Sequence, residues 1–499
     1  MTVTASKKVI TGWAMYDWDN SVYNLVITTT FFPIYFTAAT HHVFKGDTIH
    51  FLGRNFINSA LYDYALAAAY LIIALLYPIL TSIADTRGNK KSFMQFFCYM
   101  GSLGCSALYF FNGANVWLGV LCFILASMGF VGSLVFYNAY LPEIAAPEDQ
   151  DRVSAKGFAF GYIGSVILQL IGFVLVLTIK DDPFLGPRLT FLLVGVWWAG
   201  FAQMTFAVLP KVKRTVTVRT NVFKAGFTEV RKVYAEIRKL GVLKRFLRGF
   251  FCYSIGVQTV MMAATLFGSK LLGLEDTKLI ITIVLIQLVA IVGAIWMSKL
   301  SAKFGNIRVL MGVVVFWVFI CVSAYITAGM AENLHDFHAR IAELKQQKED
   351  LSARKASMSA ADFDKATAEV EGRLSREELD LEPHQQPIEY SFYALALGVG
   401  LVMGGIQSLS RSTYSKLMPE TKDTASYFSY YDLTEKFAIV IGMFSFGFIE
   451  ELTGSMKNSI VFLVVFFVLG LIWLYSALRK QGREMLTAAA ARTPMAGTV

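Results

Sequence analysis

Charge is what this sequence has least of. Only 16% of its 499 residues are charged, against 55% hydrophobic, and the mean hydropathy is +0.53. A soluble chain of this length could not hide so much apolar surface in one core, which excludes a water-soluble globular protein. A disulfide framework is excluded next. All five cysteines (Cys98, Cys105, Cys122, Cys252, Cys321) fall inside apolar runs, and no two have metal-ligand spacing. No phosphate loop of the form G-x-x-x-x-G-K-[ST] appears, which argues against an ATP-driven pump. There is no nucleophile elbow, zinc motif or pair of soluble carboxylates to argue for an enzyme, and no cofactor is implied. Histidine is missing from the apolar runs, so any proton coupling must use carboxylates. His41, His42, His50, His335, His338 and His384 fall in predicted outer loops. His41 and His42 read as solvated residues rather than metal ligands, since no Cys or acidic cluster completes a site.

What is present is a series of twelve apolar runs, over about 13–39, 58–83, 92–111, 116–140, 157–179, 188–209, 246–269, 279–300, 307–330, 389–411, 426–449 and 458–478. A crossing takes about 20 apolar residues. The first run is long and carries Asp17, Asp19 and Asn20, so it reads as a retained span rather than a signal peptide. With the N-terminus inside, roughly 29 Lys and Arg lie in inner loops and tails against about 7 outside, the expected cytoplasmic bias. Both termini are therefore placed in the cytoplasm, and in a bacterium the membrane would be the inner one. The formal charge of +9 is explained by anionic inner-leaflet lipid, so no nucleic-acid partner is required.

Six spans, a basic inner loop and six more spans make the plan of a duplicated transporter. The halves are 1–209 and 246–499, joined by a linker over 210–245. The inner turn Ala84-Asp85-Thr86-Arg87-Gly88-Asn89-Lys90-Lys91 is echoed after span eight by Ala302-Lys303-Phe304-Gly305-Asn306-Ile307-Arg308. Glycine permits the tight reversal, while Asp85 with Arg87 and Lys91 can latch neighbouring helix ends, a gating role. In the linker, Phe223, Phe227, Val230, Tyr234 and Ile237 recur at spacings of three and four among Lys and Arg, which predicts an amphipathic helix on the inner membrane surface. The stretch 331–388 is water-soluble in composition. Leu334, Phe337, Ile341, Leu344 and Leu351, then Phe363, Val370 and Leu374, predict an outer helical hairpin, its second helix opened by Ser359 and Asp362 as a capping box.

The opening Gly12-Trp13-Ala14-Met15-Tyr16-Asp17-Trp18-Asp19-Asn20-Ser21-Val22-Tyr23 and Phe31-Phe32-Pro33-Ile34-Tyr35-Phe36 resemble the vacuole-effluxer-like family of the major facilitator superfamily. Leu141-Pro142-Glu143-Ile144-Ala145, Arg152-Val153-Ser154-Ala155, Gly161-Tyr162-Ile163-Gly164-Ser165, Gly256-Val257-Gln258-Thr259 and Gly405-Ile406-Gln407-Ser408-Leu409-Ser410-Arg411-Ser412 are similar to its other signatures, in the expected order. The resemblance covers nearly all spans except the 331–388 insertion. It implies the major facilitator fold, all-α and polytopic with twelve transmembrane helices in two six-helix halves. It also implies a solute exporter, with amino-acid efflux as the activity of fungal members. The chain departs from the pattern at Ile255, where members carry Asp, and at Asp19, Asp63, Asp432 and Glu435, where neutral residues are expected.

Intramembrane charges are costly and face a cavity or a partner. Span one sets Asp17, Asn20 or Ser21, Asn24 and Thr28 at steps of three and four, a polar stripe that reads as cavity lining, with interhelical packing as the alternative. Span eleven carries Tyr430, Tyr431, Asp432, Glu435 and Lys436. Asp432 and Lys436, at i and i+4, suit an intrahelical pair. One Lys cannot neutralise two acids, so Glu435 or Asp432 is left to take up a proton or to pair with a cation such as Arg411. Tyr137, Asn138, Tyr162, Gln169, Gln258, Thr259, Gln287 and Gln407 are further pore candidates. The leading expectation is a monomeric gradient-driven transporter of a small polar or zwitterionic solute, with protons as candidate coupling ion and lipids around it. A transport-inactive receptor or scaffold presenting the hairpin, or a lipid flippase, are the alternatives.

Overall fold

The computed structural model describes residues 3–210, 222–274, 276–332, 334–354 and 359–492. Every apolar run becomes a helix, as a backbone in lipid must satisfy its N–H and C=O groups internally. α1 (Lys7–Val22) passes through a π-helical segment (Tyr23–Phe31) into α2 (Phe32–Phe44). It is followed by α3 (Asn58–Arg87), α4 (Lys90–Ala107), α5 (Val116–Ala139), α6 (Leu141–Ile144), α7 (Gln150–Thr178) and α8 (Leu185–Val208). After α9 (Val222–Lys239) come α10 (Gly241–Leu266), α11 (Asp276–Phe304), α12 (Asn306–Glu332), α13 (His335–Arg354), α14 (Ala360–Leu417), α15 (Thr424–Thr453) and α16 (Met456–Arg492).

Among the described residues, ten helices are long and apolar enough to cross a membrane. α4 and α15 are not among the ten. α4 has 18 residues and opens on Lys90 and Lys91, while α15 carries Asp432, Glu435 and Lys436 mid-helix. The protein is thus an all-α, multi-pass integral membrane protein.

In the N-terminal bundle α1 packs on α7 and α8, α4 on α5 and α8, and α3 on α5. In the C-terminal bundle α11 packs on α14, α10 on α15 and α16, and α12 on α14 and α16. The bundles meet through α7 with α11 and α14, and through α15 with α3 and α5. Small residues set the tightest approaches: a Cβ on Gly129 would lie 2.3 Å from the Cα of Gly101, and one on Gly293 would lie 2.0 Å from the Leu401 carbonyl oxygen. The turns between α3 and α4 and between α11 and α12 both use a left-handed glycine, Gly88 (φ 66°) and Gly305 (φ 86°).

Three features differ from the sequence expectation. Thr48–Phe51 and Arg54–Ile57 form an antiparallel β-hairpin, its turn at Leu52 and Gly53 with positive φ. The linker helix α9, expected as an amphipathic surface helix, in addition packs on α3, α10 and α15 and so touches both bundles. Ile237 is buried and Tyr234 exposed, while the side chains of Phe223, Phe227 and Val230 lie outside the described residues. The second arm of the soluble hairpin and the following span are one helix, the 58-residue α14, which runs through Pro383 and Pro387. α13 packs against it through buried Ile341, Leu344 and Val370 and through ion pairs Arg340–Glu377 and Lys348–Glu371, at 3.1 and 2.8 Å. The Ser359 hydroxyl accepts a hydrogen bond from the Asp362 amide at the start of α14, as the capping pattern predicts.

Candidate functional site

Arg411, near the end of α14, reaches out of the C-terminal bundle into a cage built by the N-terminal one. Its Nη1 and Nη2 both lie 3.3 Å from Asp17 Oδ2 on α1. Its Nε donates to Ser154 Oγ and its Nη2 to the Ser154 carbonyl on α7, each at 2.9 Å, and Nη1 donates to Asn138 Oδ1 on α5 at 3.3 Å. Tyr137 donates its hydroxyl to the same Asp17 oxygen at 2.7 Å. The rings of Phe158, Trp13 and Tyr137 lie 4.3, 5.0 and 5.4 Å from the guanidinium, so its faces meet aromatic quadrupoles while its edges meet acceptors. Gly157 makes room: a Cβ there would come within 2.3 Å of Asp17 Oδ2 and 3.0 Å of Arg411 Nη2.

Asn138 extends this network to α15, since its Nδ2 donates to Asp432 Oδ1 at 3.4 Å. The other Asp432 oxygen is buried with no hydrogen-bond partner among the described residues. The expected Asp432–Lys436 pair is not formed. Lys436 instead meets its neighbour Glu435 at 3.0 Å and lies over the Tyr70 ring, and Gln258 donates to the other Glu435 oxygen at 3.1 Å. Arg411 is taken by Asp17 rather than by the acids of α15.

Other predicted site residues serve differently. Tyr431 packs on Phe250 and Tyr414, and Gln407 donates to the Met261 sulfur. Asn24 is half-buried, Asp63 is exposed, and Asn20 is fully buried. Gln169 and Gln287 meet across the bundles at 2.8 Å.

The two echoed turns each clamp the opposite bundle. Asp85 accepts from the Ala425 and Ser426 amides and the Ser426 hydroxyl, at 3.2, 2.8 and 2.8 Å, and so caps the N-terminus of α15. The cation beside it is Lys90, which also binds Glu143 and Thr424. Of the two basic residues expected there, Arg87 is exposed and Lys91 donates to the Leu209 carbonyl. In the second clamp, Asp151 of α7 accepts from Ser301, Asn306 and Lys416 at 2.7, 2.6 and 2.7 Å. α9 adds a third tie, Lys232 to Asp423 at 3.1 Å and Tyr427 to Glu236 at 2.5 Å.

Sequence reasoning missed Ser154, Gly157, Asp151, Asn306 and Lys416. Trp13 and Ser154 stood inside signatures without a role, and Asn306 inside the echoed turn. Gly157 and Lys416 had no local signal, because only the approach of distant helices gives them a task.

The fold resembles solved transporters over nearly its whole length. A bacterial homologue of the iron transporter ferroportin, in an outward-facing state, aligns with TM-score 0.60 at 13% identity, covering 95% of this chain and 98% of that one. The E. coli fucose:proton symporter aligns with TM-score 0.59 at 10% identity, covering 94% and 97%. In sequence, the uncharacterized MFS-type transporter YxiO of Bacillus subtilis is 28% identical over 471 residues, 92% of each chain. Autophagy-related protein 22-1 of Penicillium rubens is 22% identical over 490 residues, 84% of this chain and 75% of the relative. Fold and relatives together define a membrane transporter of the major facilitator type, not an enzyme. Within that class the chain belongs to the family described as vacuole effluxer Atg22 like, whose profile matches residues 5–340 and 383–486. The unmatched stretch between them falls in the α13–α14 hairpin.

Proposed function

We propose that the protein is a secondary active transporter that exports a small polar or zwitterionic solute by alternating access, amino acids being the class that the family resemblance implies. The observation that carries this reading is the Asp17–Arg411 pair, a charge from each bundle joined in a buried aromatic cage. Such a pair holds a solute's opposite charges only when the bundles part, which links occupancy to conformation. The clamps of Asp85 and Asp151 lie at the turn-bearing face and support a state closed there. Asp432, with one oxygen free of hydrogen-bond partners among the described residues, and Glu435 beside Lys436 are the groups we assign to proton uptake. In this reading α4 and α15 complete twelve crossings in two halves, the chain acts as a monomer with both termini in the cytoplasm, and α13 with the start of α14 stands outside.

The test is purified protein in proteoliposomes, assayed with a panel of amino acids and other metabolites with and without a pH gradient. Saturable flux of one solute class, raised by the gradient and lost in Arg411→Ala, is expected. No flux of any panel member under either condition, with hairpin-dependent capture of a protein partner, would replace the transporter reading with a scaffold.

A further inference from the structure

A second polar site lies inside the N-terminal bundle, on a face of α1 that adjoins the one meeting Arg411, with Tyr137 between them. Tyr16, Asp19, Asn20 and Tyr23 follow at i, i+3, i+4 and i+7 and share that face. It looks into the packing of α4, α5 and α8. Tyr16 packs on Tyr137 and Phe206, with its hydroxyl toward Ser133 and Trp198. Tyr23 stacks on Trp198 at 5.7 Å, and its hydroxyl meets Ser127 Oγ at 2.8 Å. Asp19 and Asn20 are both 0% exposed, and neither carboxylate oxygen of the one nor either amide atom of the other has a hydrogen-bond partner among the described residues. Tyr16, Cys98 and Asp17 lie within electrostatic reach of Asp19, and none of the three is a cation.

We propose that Asp19, Asn20 and Tyr16 form a binding site for a partly hydrated monovalent alkali cation of the sodium type, separate from the Asp17–Arg411 pair. An unpartnered carboxylate at such depth is strongly unfavourable, and native structures rarely leave all the polar side-chain atoms of two consecutive buried residues orphaned. Charge selects the valence: Asp19 supplies one negative charge, and Asp17 is already committed to Arg411, so a divalent ion would be left overcharged. The donor set selects the ion type, since carboxylate, amide and phenol oxygens suit a hard cation. No group of three or more His, Cys, Asp or Glu able to hold a metal occurs among the described residues. A proton alone would neutralise Asp19 but leave both amide atoms of Asn20 without partners, since no Asp19 oxygen is within hydrogen-bond reach of them. A cation serves Asn20 Oδ1 directly, and a water carried on it accepts from Nδ2.

The site is independent of which solute is moved, so binding rather than flux tests it. The full-length protein in lipid nanodiscs is titrated with sodium chloride against choline chloride at constant ionic strength and pH, following radioactive sodium binding and thermal unfolding by tryptophan fluorescence. Wild type is expected to bind one ion saturably and to gain a few degrees in unfolding temperature that choline does not give. Asp19→Asn is expected to lose both, and Asn20→Ala to move the midpoint to higher sodium. Should Asp19→Asn not fold, Asn20→Ala and the wild-type titration carry the test. The proposal is overturned if wild type shows no sodium-specific binding, if its stability follows pH alone, or if Asp19→Asn binds sodium like wild type.

Discussion

Arg411 and Asp17 stand 394 positions apart in the chain and 3.3 Å apart in the fold, with both side chains almost fully buried. Neither bundle satisfies its own charge, so the pair makes the closed arrangement of the two bundles a condition for burying either residue. Removing one partner strands the other, and that cost exceeds whatever the intact pair contributes.

Arg411→Ala is therefore expected to destabilise the protein by about 3–5 kcal/mol and to abolish flux. Combining Asp17→Asn with Arg411→Gln should recover most of the stability while leaving transport dead. Unfolding midpoints and proteoliposome flux measure the two separately. Recovery of flux in the double variant would reduce the pair to scaffolding.

Gly157→Ala adds one methyl group where 2.3 Å separates the new Cβ from Asp17 Oδ2. Overpacking of this kind costs about 1–3 kcal/mol, and here it pushes the acid away from its partner. Flux is expected to fall more steeply than stability. A variant with wild-type flux would show that the pair tolerates being parted.

Asp85→Asn replaces an acceptor that faces two amides and a hydroxyl with a group carrying its own donor. The clamp should weaken by about 1–3 kcal/mol, shifting the population toward opening at this face while solute binding persists. Spin labels at exposed Arg87 and Glu420 are expected to report longer distances than in the parent. An unchanged distance distribution would count against the clamp.

Glu435→Gln should uncouple flux from the pH gradient with solute binding still measurable, and Lys436→Ala should weaken binding of anionic or zwitterionic solutes. The bland alternative is a structural pair on α15. It predicts that each single change lowers stability and that the double change restores it with coupled transport intact. Measuring flux with and without the gradient in all three variants separates the two.

Sidedness can be read from labelling. Glu349→Cys on α13 is expected to react with an impermeant thiol reagent in intact cells, and Arg87→Cys only after lysis. The reverse pattern would invert the assigned topology.

The helices were legible in the sequence because lipid demands long apolar runs, and every run became one. Harder to read was where a helix begins once it leaves the apolar zone, as at α14, whose polar arm joins its span without a break. Asp17, Tyr137, Asn138 and Arg411 could be named as polar residues in apolar surroundings, but not as one network. Local spacing favoured Asp432 with Lys436, yet Glu435 lay within reach of the same ammonium and Gln258 turned toward it from another helix. For the inner turn the acid was identifiable, and the helix end it caps was not. Asp85 pairs with an N-terminus contributed from 340 residues away, a contact no local pattern records.

The 58 residues of α14 span about 87 Å at 1.5 Å per residue, far more than a bilayer. One end carries Arg411 at the meeting of the bundles; the other projects clear of the apolar zone, stiffened by α13. A rigid rotation of roughly 15° about the Arg411 end would sweep the far tip through about 20 Å. If the bundles rock as proposed, the insertion would be a pointer that magnifies small angular changes at the charge pair, and a binder that immobilised its tip would brake that motion.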